Sequence, residues 1–581
     1  MRSRSTSAAL LAGAVTVVLA ASACGGPVEE NGGDSPGANA AVKGIVNESD
    51  KKGGTLVLEE SDIPDSFDPG NTYYGFVFNF SRLYARPLTT FPPKPGAEST
   101  KVVPDLAESL GKPSNGGKTW TYTLREGLKY EDGTPITSKD VKYAIERSNF
   151  AREVHSNGPA YFAQYLKDND EPYQGPYKDK SEKGLESIET PDDRTIVFHL
   201  KQPFADFDYL VANPQTAPVP REKDTGADYV KHIVSSGSYK FESYDQNRGA
   251  VLVRNEQWDP KTDPLRKQLP DRIEVRFKVN PETIDNNLLS GKTHLNLAGT
   301  GVTAQTQSKL LREKSKDTDN ATGGRLSYMA INTKVAPFDK IECRKAVQYA
   351  VNKASVQAAL GGDPRGEVAS TLLPPDIPGY EDFDLYATED DKGDVAKAKE
   401  WLDKCGKPEG FSTVLSARSD RKDEVDAATA IQAALKKVGI DVKIQQYPSG
   451  KYFTDYAGVP KFTENNKIGL MMMQWGADWP TGFGYLQQVV HGDAIQDSGN
   501  TNLSQLDDPK INKLLDDAIA DIDEEARNKA YLEVDKRVME LAAVVPLSYF
   551  KVLHYRSPEI TNVVTSQAWS GQYDFLNIGL K

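Results

Sequence analysis

Cysteine and histidine are scarce in this chain, and neither is spaced as a metal site requires. Three cysteines and six histidines are scattered over 581 residues. The histidines lack HxxxH and HExxH spacing and the cysteines lack CxxC spacing, so no metal site is indicated. No cysteine and histidine together form a catalytic signature. We therefore expect no metal, no cofactor and no covalent chemistry.

An excess of basic charge is also missing. Lysine and arginine total 70 against 83 aspartate and glutamate residues, a formal charge of -13. No basic stripe interleaved with aromatics occurs, which argues against a nucleic-acid partner. The segment 288–293, LLSGKT, is similar to a phosphate-binding loop, but Asn286 stands where that loop needs glycine. The chain therefore carries no ATPase of its own.

The amino terminus has the pattern of an export signal. Two arginines precede an apolar run from Ala8 to Ala21, which is followed by small residues and Cys24. This predicts a signal peptide over 1–23 rather than a transmembrane helix. Cys24 matches the lipidated cysteine of bacterial lipoproteins, although Ala21 stands where leucine is usual. An ordinary signal peptide with an incidental cysteine is the alternative.

The next segment, 24–50, is rich in Gly, Pro, Asn, Ser and acidic residues. Such a composition buries little apolar surface and predicts a flexible tether. The chain is thus expected at the outer face of a bacterial cell membrane, held there by lipid.

Two further cysteines, Cys343 and Cys405, remain after Cys24. An even pair in an exported protein is free to form a disulfide, and we predict that these two do. Two buried free thiols are the alternative, because spacing alone does not establish proximity.

The stretch Ile468–Phe483 begins as an apolar run and stops abruptly at Gly476, Ala477 and Asp478. The run suits a buried strand, and Pro480 prevents further ladder pairing. Asp478 therefore lies where a buried strand ends, flanked by Trp475 and Trp479. Partial desolvation there favours a cationic partner such as an ammonium group. The simpler alternative is that Asp478 only caps the loop.

A second aromatic segment follows the turn formers at residues 68–71. Most of its rings are expected in the core. Tyr73, Tyr74 and Gly75 lie nearest the turn and are the candidates to face a ligand.

Several segments together carry a family resemblance. In 103–147, turns at Asn115 and Asp132 bracket an alternating strand, and Thr137 begins an amphipathic helix. This segment resembles the family 5 extracellular solute-binding proteins, the dipeptide and oligopeptide receptors of ABC importers. The segments 235–258, 328–353, 393–411 and 430–446 resemble later elements of the same family, in the same order. Agreement across roughly 500 residues makes coincidence implausible.

The resemblance implies an α/β fold of two lobes, the periplasmic-binding-protein-like fold of type II, with an extra subdomain in the first lobe and a hinge between the lobes. It places lobe I at 51–88, 189–322 and 548–581, the inserted subdomain at 89–188, and lobe II at 323–547.

The resemblance also assigns a binding site. Trp475 to Asp478 match a WxxD element whose aspartate holds the amino terminus of a bound peptide. Gln474 to Ala477 would then offer one edge of main chain, and Tyr74 and Gly75 part of the opposing edge. Met472 stands where oligopeptide receptors can carry an arginine for the peptide carboxylate. Arg418 or Arg421 is the candidate substitute, or the ligand has a different length or no carboxylate.

The function implied is capture of short peptides by a monomeric lipoprotein that delivers them to ABC permease subunits with a separate ATPase. Alternatives within the same fold are another cargo, such as an oligosaccharide, metal chelate, haem or opine, or reception of a peptide signal. An exported hydrolase is a remote alternative, since no nucleophile and base pair is found.

Overall fold

The structure, a computed structural model, describes residues 37–157, 160–169, 171–180 and 183–581. The predicted signal peptide over 1–23 and the lipidation site Cys24 lie outside the described residues. Within the described ranges, no helix combines the length and the apolar character that crossing a bilayer requires.

Residues 37–50, the described part of the predicted tether over 24–50, pack against the folded body. Ala41 and Val46 are buried. The Ala41 amide donates to Asp319 Oδ1 at 3.0 Å, and Val46 forms a β-bridge to the C-terminal region. Two small apolar side chains are enough to dock this segment, and a mainly polar composition conceals them.

A five-stranded sheet forms the framework that we call the first lobe. Its order is Leu295–Asn296, Thr55–Glu59, Arg272–Arg276, Gly249–Arg254 and Tyr239–Asp245. The first three strands are parallel, and the last two join antiparallel. The strand Thr55–Glu59 is therefore an interior strand, which explains its continuous apolar run.

A four-stranded antiparallel sheet forms the framework that we call the insert. Its order is Lys112–Ser114, Thr119–Thr123, Thr195–His199 and Ile188–Glu189. Trp120 and Tyr122 are buried while their neighbours are partly exposed, as the alternation predicts. Since Thr195–His199 pairs with Thr119–Thr123, this sheet extends past residue 188, where the sequence predicts the subdomain to end.

A six-stranded mixed sheet forms the framework that we call the second lobe. Its order is Gly366–Val368, Val544–Tyr555, Thr318–Ile331, Ile468–Gly476, Phe411–Arg418 and Ile440–Tyr447. The two longest strands pair from Thr318 with Tyr555 to Ala330 with Val544, across register shifts. The predicted lobe limits at 323 and 547 fall inside these two strands. The remaining boundaries stay a prediction.

Helices cover the sheets, and three small antiparallel pairs of strands complete the described chain. The helices are Ala40–Lys43, Gly75–Ser81, Ser138–Phe150, Tyr161–Tyr165, Phe207–Leu210, Pro281–Leu289, Ala304–Glu313, Ile341–Ala350, Lys353–Ala359, Val395–Cys405, Lys422–Lys436, Ser449–Lys451, Pro460–Asn465, Gly482–Val490, Pro509–Ala520 and Glu524–Glu540. The small pairs are Thr89–Thr90 with Val103–Pro104, Ile560–Thr561 with Gly579–Leu580, and Thr565–Ser566 with Gln572–Tyr573.

The helix Ser138–Phe150 illustrates how local sequence sets an element. Thr137 and Asp140 form a reciprocal capping box at its start, with the Thr137 amide donating to Asp140 Oδ2 at 2.7 Å. This satisfies backbone donors that the first turn leaves unpaired. The helix therefore begins where the sequence predicts.

Cys343 and Cys405 lie on two neighbouring helices of the second lobe. The structure places them in a disulfide, with Cα atoms 5.2 Å apart. Both residues are buried within one apolar cluster. The predicted pairing is therefore compatible with the packing of these helices.

One hydrophobic cluster joins the insert to the second lobe. It contains insert residues such as Phe204 together with Trp479 and Phe483, and Phe204 packs edge-on against both of these rings. The loop that follows the strand Ile468–Gly476 is thus enclosed from the insert side.

Candidate functional site

The strand Ile468–Gly476 carries the predicted site at its carboxyl end. Its first six residues are buried and its last three are partly exposed. The ladder to Thr318–Ile331 continues to Gly476, whereas the ladder to Phe411–Arg418 stops at Met471. The main chain beyond Met471 thus lacks a neighbouring strand on one side, within the described residues. Such an edge is able to pair with an extended ligand.

The loop after this strand is held by hydrogen bonds to the first turn of the helix that follows it. The Asp478 amide donates to Gly484 O at 3.0 Å, and Thr481 Oγ1 accepts from the Gly484 amide at 3.0 Å. A Cβ at Gly484 would lie 2.4 Å from Trp479 O, so the close approach requires glycine. The position of Asp478 is therefore determined by the start of the helix Gly482–Val490.

Asp478 faces the first lobe and the insert. Tyr73 donates its hydroxyl hydrogen to Asp478 Oδ1 at 2.5 Å, and the hydroxyl oxygens of Tyr73 and Tyr161 are 3.4 Å apart. Asp478 remains partly exposed, and no cationic side chain pairs with it among the described residues. Burial of the carboxyl group raises its pKa to about 6, although hydrogen bonds from Tyr161 and Tyr73 oppose the shift. A cation beside this carboxyl group would stabilise its ionised form and lower its pKa again.

The two tryptophans beside Asp478 have different environments. Trp475 is partly exposed, and its Nε1 donates to Tyr485 O at 2.9 Å. Trp479 is only 7% exposed, and its Nε1 donates to Asp206 Oδ2 at 2.9 Å. Trp475 is thus available to a ligand as a wall, whereas Trp479 is anchored towards the insert.

Asp206 acts as a latch between the insert and the loop of Asp478. Besides Trp479, its Oδ2 accepts from Thr481 Oγ1 at 2.5 Å, and Arg527 Nε is 3.8 Å from its Oδ1. The adjacent Ala205 amide donates to the carbonyl of the second lobe's Ile519 at 2.7 Å. Burial raises the pKa of Asp206. These contacts couple the position of the loop to the docking of the insert.

The other predicted residues lie at the start of the helix Gly75–Ser81. Tyr73 and Tyr74 are 45% and 50% exposed, and Tyr74 stacks on Phe76 with ring centroids 5.3 Å apart. The Tyr73 amide donates to Asp65 Oδ2 at 2.7 Å, which fixes the turn. The structure therefore brings Tyr73 to Asp478 and leaves the Tyr74 ring largely open to solvent.

The arginine candidates differ sharply. Arg418 is buried and pairs with Glu424, so its charge is already neutralised. Arg421 is exposed and reaches Gln474 Oε1 at 3.4 Å. Met472 is 1% exposed and belongs to the core, so it offers no contact in the cleft. Of the two predicted arginines, the structure leaves Arg421 for a ligand.

A third arginine completes a basic patch. Arg325 lies opposite Gly476 in the ladder, and a Cβ on that glycine would lie 2.8 Å from Arg325 Cγ. It is exposed, and no carboxylate pairs with it among the described residues. Desolvation and the neighbouring Arg421 lower its pKa. The guanidinium groups of Arg325 and Arg421 thus share the strand end, and neither has an acidic partner in the part of the chain that the structure describes.

Sequence reasoning missed Tyr161, Asp206 and Arg325. Tyr161 and Asp206 belong to the insert, and no local motif marks them. Arg325 lies on the strand Thr318–Ile331, and its place at the site depends on the antiparallel register with Gly476. Sequence reasoning could have found Arg325 only by predicting the register in which its strand pairs with Gly476.

The chain is similar to known proteins over most of its length. The family described as bacterial extracellular solute-binding proteins, family 5 middle, matches residues 101–497. The probable D,D-dipeptide-binding periplasmic protein of Escherichia coli (strain K12) is 25% identical over 501 residues, covering 85% of this chain and 88% of its own length. Heme-binding protein A of Haemophilus influenzae (strain ATCC 51907 / DSM 11121 / KW20 / Rd) is 26% identical over 531 residues, covering 88% and 90%.

Solved structures share the fold. The clavulanic acid biosynthesis oligopeptide binding protein 2 is 41% identical, with a TM-score of 0.91 over 94% of this chain and 98% of its own. The predicted α/β fold of two lobes is thereby confirmed.

Proposed function

The chain belongs to the bacterial extracellular solute-binding proteins of family 5, and on that basis we propose that it captures short peptides between its two lobes. The observation that carries the proposal is the carboxylate of Asp478, which is partly buried at the cleft and has no cationic partner among the described residues. A peptide ammonium group supplies that charge. Tyr73 contacts the same carboxylate from the first lobe. Asp478 would therefore bind the ligand and also take part in closure of the two lobes.

Main-chain recognition supports an extended ligand. Beyond Met471, the strand Ile468–Gly476 has no neighbouring strand on one side among the residues that the structure describes. An extended peptide placed along that edge would use backbone hydrogen bonds, which are independent of side-chain identity. Gln474 to Ala477 then provide the pairing edge, as the family resemblance implies.

The other end of a short peptide carries a carboxylate. Arg421 and Arg325 are exposed near Gln474 and Gly476, and neither has an ion-pair partner among the described residues. Arg325 pairs with Gly476, two residues before Asp478 in the chain. This proximity favours a short ligand with both charged ends bound.

Delivery and anchoring complete the proposal. Cys24 becomes the lipidated first residue at the outer face of the membrane, and the loaded protein passes its ligand to an ABC permease with a separate ATPase. The protein performs no covalent chemistry on the peptide. Metabolic labelling with palmitate tests the anchor: it is expected on the natural chain and absent from Cys24→Ser.

The direct test uses the ammonium group itself. Alanyl dipeptides and their N-acetyl counterparts are titrated into the purified protein by calorimetry, with the same concentrations and buffer. The free dipeptides are expected to bind, and the acetylated ones to bind at least about tenfold more weakly, since a charge-assisted hydrogen bond is lost. Equal binding of both forms would remove Asp478 as the ammonium anchor.

The cargo itself is identified by denaturing the purified protein and analysing released small molecules by mass spectrometry. Short peptides would support the proposal. Haem, an opine or a sugar would assign the same cleft to that cargo instead, a point that the similarity to a haem-binding protein makes worth testing.

A further inference from the structure

Two long strands of the second-lobe sheet continue into the first lobe. Near the end of the strand Val544–Tyr555, Leu553 packs in an apolar cluster with the first-lobe helix Pro281–Leu289. Near the start of the same strand, Leu547 belongs to a core cluster of the second lobe. The strand Thr318–Ile331 pairs with it antiparallel over most of this length. Because both strands pass from one lobe to the other, opening of the lobes has to bend this pair.

The pairing of these strands is interrupted between the two lobes. The ladder stops at Thr322 and resumes at Leu326, so residues 323–325 of one strand oppose Phe550 alone on the other. Gly324 within this bulge has a φ of +55°, a left-handed conformation that glycine adopts without strain. A bulge bends its strand locally. Residues 323–325 are therefore the place where this strand bends most easily.

A carboxylate of the second lobe, Asp376, lies against the bulge. Its Oδ2 accepts from the Gly324 amide at 3.3 Å, and its Oδ1 accepts from Gln567 Nε2 at 2.7 Å. Burial raises the pKa of Asp376, although hydrogen bonds from Thr322 and the Gly324 amide oppose the shift. A carboxylate in a partly buried site depends strongly on its hydrogen-bond donors. Gln567 is thus a donor whose loss Asp376 would feel.

The two side chains of this hydrogen bond are fixed to different lobes. Three positions before the carboxylate, the Leu373 amide donates to Asp535 Oδ2 of a second-lobe helix at 3.1 Å. Gln567 follows the first strand of a small pair, and the Tyr573 carbonyl of that pair accepts from the first lobe's Asn79 Nδ2 at 2.9 Å. The hydrogen bond beside the bulge therefore joins the two lobes directly.

We propose that Asp376 and Gln567 form a hinge latch, a hydrogen bond that forms when the lobes close and breaks when they open, and that sets part of the balance between the two states. The bond is 2.7 Å long, so a separation of about 1 Å takes it beyond the ordinary range. Water then replaces Gln567 on the carboxylate, which keeps the latch reversible. The inference rests on the lobe closure in the proposed function, but not on the nature of the cargo.

Scattering tests the hinge latch without any ligand. Gln567→Glu keeps the size of the side chain and places a second carboxylate beside Asp376, so repulsion should favour the open state. At pH 8, where carboxylates are ionised, small-angle X-ray scattering should give this variant a larger radius of gyration than the natural chain. Gln305→Glu, at an exposed glutamine of the first-lobe helix Ala304–Glu313, makes the same charge change away from the hinge. This matched control should leave the radius unchanged.

A double-mutant cycle gives the second measurement, with Ala-Ala titrated by calorimetry. Gln567→Ala should weaken Ala-Ala about tenfold in the natural chain, since a hydrogen bond to a charged group is lost from the closed state. In an Asp376→Ala background the same change should have no effect, because its partner is already gone.

A larger radius in Gln567→Glu, or a loss of affinity that vanishes without Asp376, would support the hinge latch. No change in either measurement, or a loss that is the same in both backgrounds, would overturn it. If Ala-Ala does not bind the natural chain, the proposed cargo fails, and the scattering comparison still decides the hinge latch.

Discussion

Replacing Asp478 by asparagine should stabilise the ligand-free protein and weaken its binding of peptides. The substitution keeps an oxygen that accepts from Tyr73 and removes the charge. The carboxylate is costly to ionise in its crowded site, so the uncharged amide avoids that cost. The same charge is what a ligand ammonium needs. Stability and binding should therefore change in opposite directions.

The size of the stability effect follows from the pKa. Asp478 has a pKa of about 6 in the folded chain against an ordinary value of 3.8. Because the folded state binds this proton more tightly, the contribution of Asp478 to stability is most favourable below about pH 4 and is lost as the pH rises to about 6. The difference of roughly 2.2 pH units corresponds to at most about 3 kcal/mol above pH 6. Asp478→Asn should be more stable than the natural chain by up to that amount at pH 8, with the gain vanishing near pH 4.

The binding effect has its own pH dependence. Peptide capture needs both the ionised carboxylate and the protonated ligand amine, whose ordinary pKa is about 7.7–8.0, so affinity should be highest near pH 7. Below pH 6 it should fall about tenfold for each pH unit. In Asp478→Asn this dependence should disappear, and affinity at pH 8 should be about tenfold to a hundredfold weaker. Urea unfolding and calorimetry from pH 5 to 8 measure the two effects on the same preparations.

Asp535→Asn is the matched control. Asp535 is fully buried, accepts from the amides of Leu372 and Leu373, and has a pKa raised to about 7 by burial. Its replacement should alter the pH profile of stability and leave the pH profile of peptide binding unchanged. The reasoning about Asp478 would be refuted if the natural chain bound equally at pH 5 and 8, or if Asp478→Asn kept the pH dependence.

Three further changes test other parts of the structure. Asp206→Ala should lower the unfolding free energy by about 3 kcal/mol and weaken peptide binding, because it removes the acceptor of two hydrogen bonds that hold the loop of Asp478. Urea unfolding measures the first effect and calorimetry the second. No change in either would show that Asp206 does not hold the loop in place. Arg421→Ala should weaken dipeptides about tenfold but not dipeptide amides, whereas Arg418→Ala should cost about 3–5 kcal/mol of stability by leaving a buried carboxylate unpaired. Equal loss for acids and amides would exclude Arg421 as the carboxylate partner. Serine at both Cys343 and Cys405 should cost about 4 kcal/mol, since the disulfide closes a loop spanning 62 positions; an unchanged urea midpoint would argue against the bond.

Local patterns predicted the elements that carry the site. The apolar run that stops at Gly476 predicts a buried strand and its end, and the structure has the strand Ile468–Gly476. Turn formers, alternation and a capping box likewise predict Thr119–Thr123 and Ser138–Phe150. These signals succeed because turns, caps and side-chain periodicity depend on residues a few positions apart. Composition was a poor guide for residues 37–50, because two buried side chains, Ala41 and Val46, dock a segment whose other residues are mainly polar.

The partners of Asp478 belong to the tertiary structure. Tyr73 is 405 positions from Asp478 in the chain, and Asp206 is 273 positions from Trp479. No local pattern encodes contacts of that range. The sequence also could not distinguish Arg418 from Arg421 as the ligand's partner, because the distinction depends on the buried ion pair between Arg418 and Glu424.

The sequence by itself determined the family and the order of the elements, and it singled out Asp478 as the residue proposed to carry the anchoring charge. Each of these follows from short-range sequence patterns or from the order of such patterns along the chain. Only the tertiary structure decided which groups surround that charge and how far its pKa moves. Those properties follow from burial and from side chains of three separate segments meeting at one strand end, which folding alone brings about.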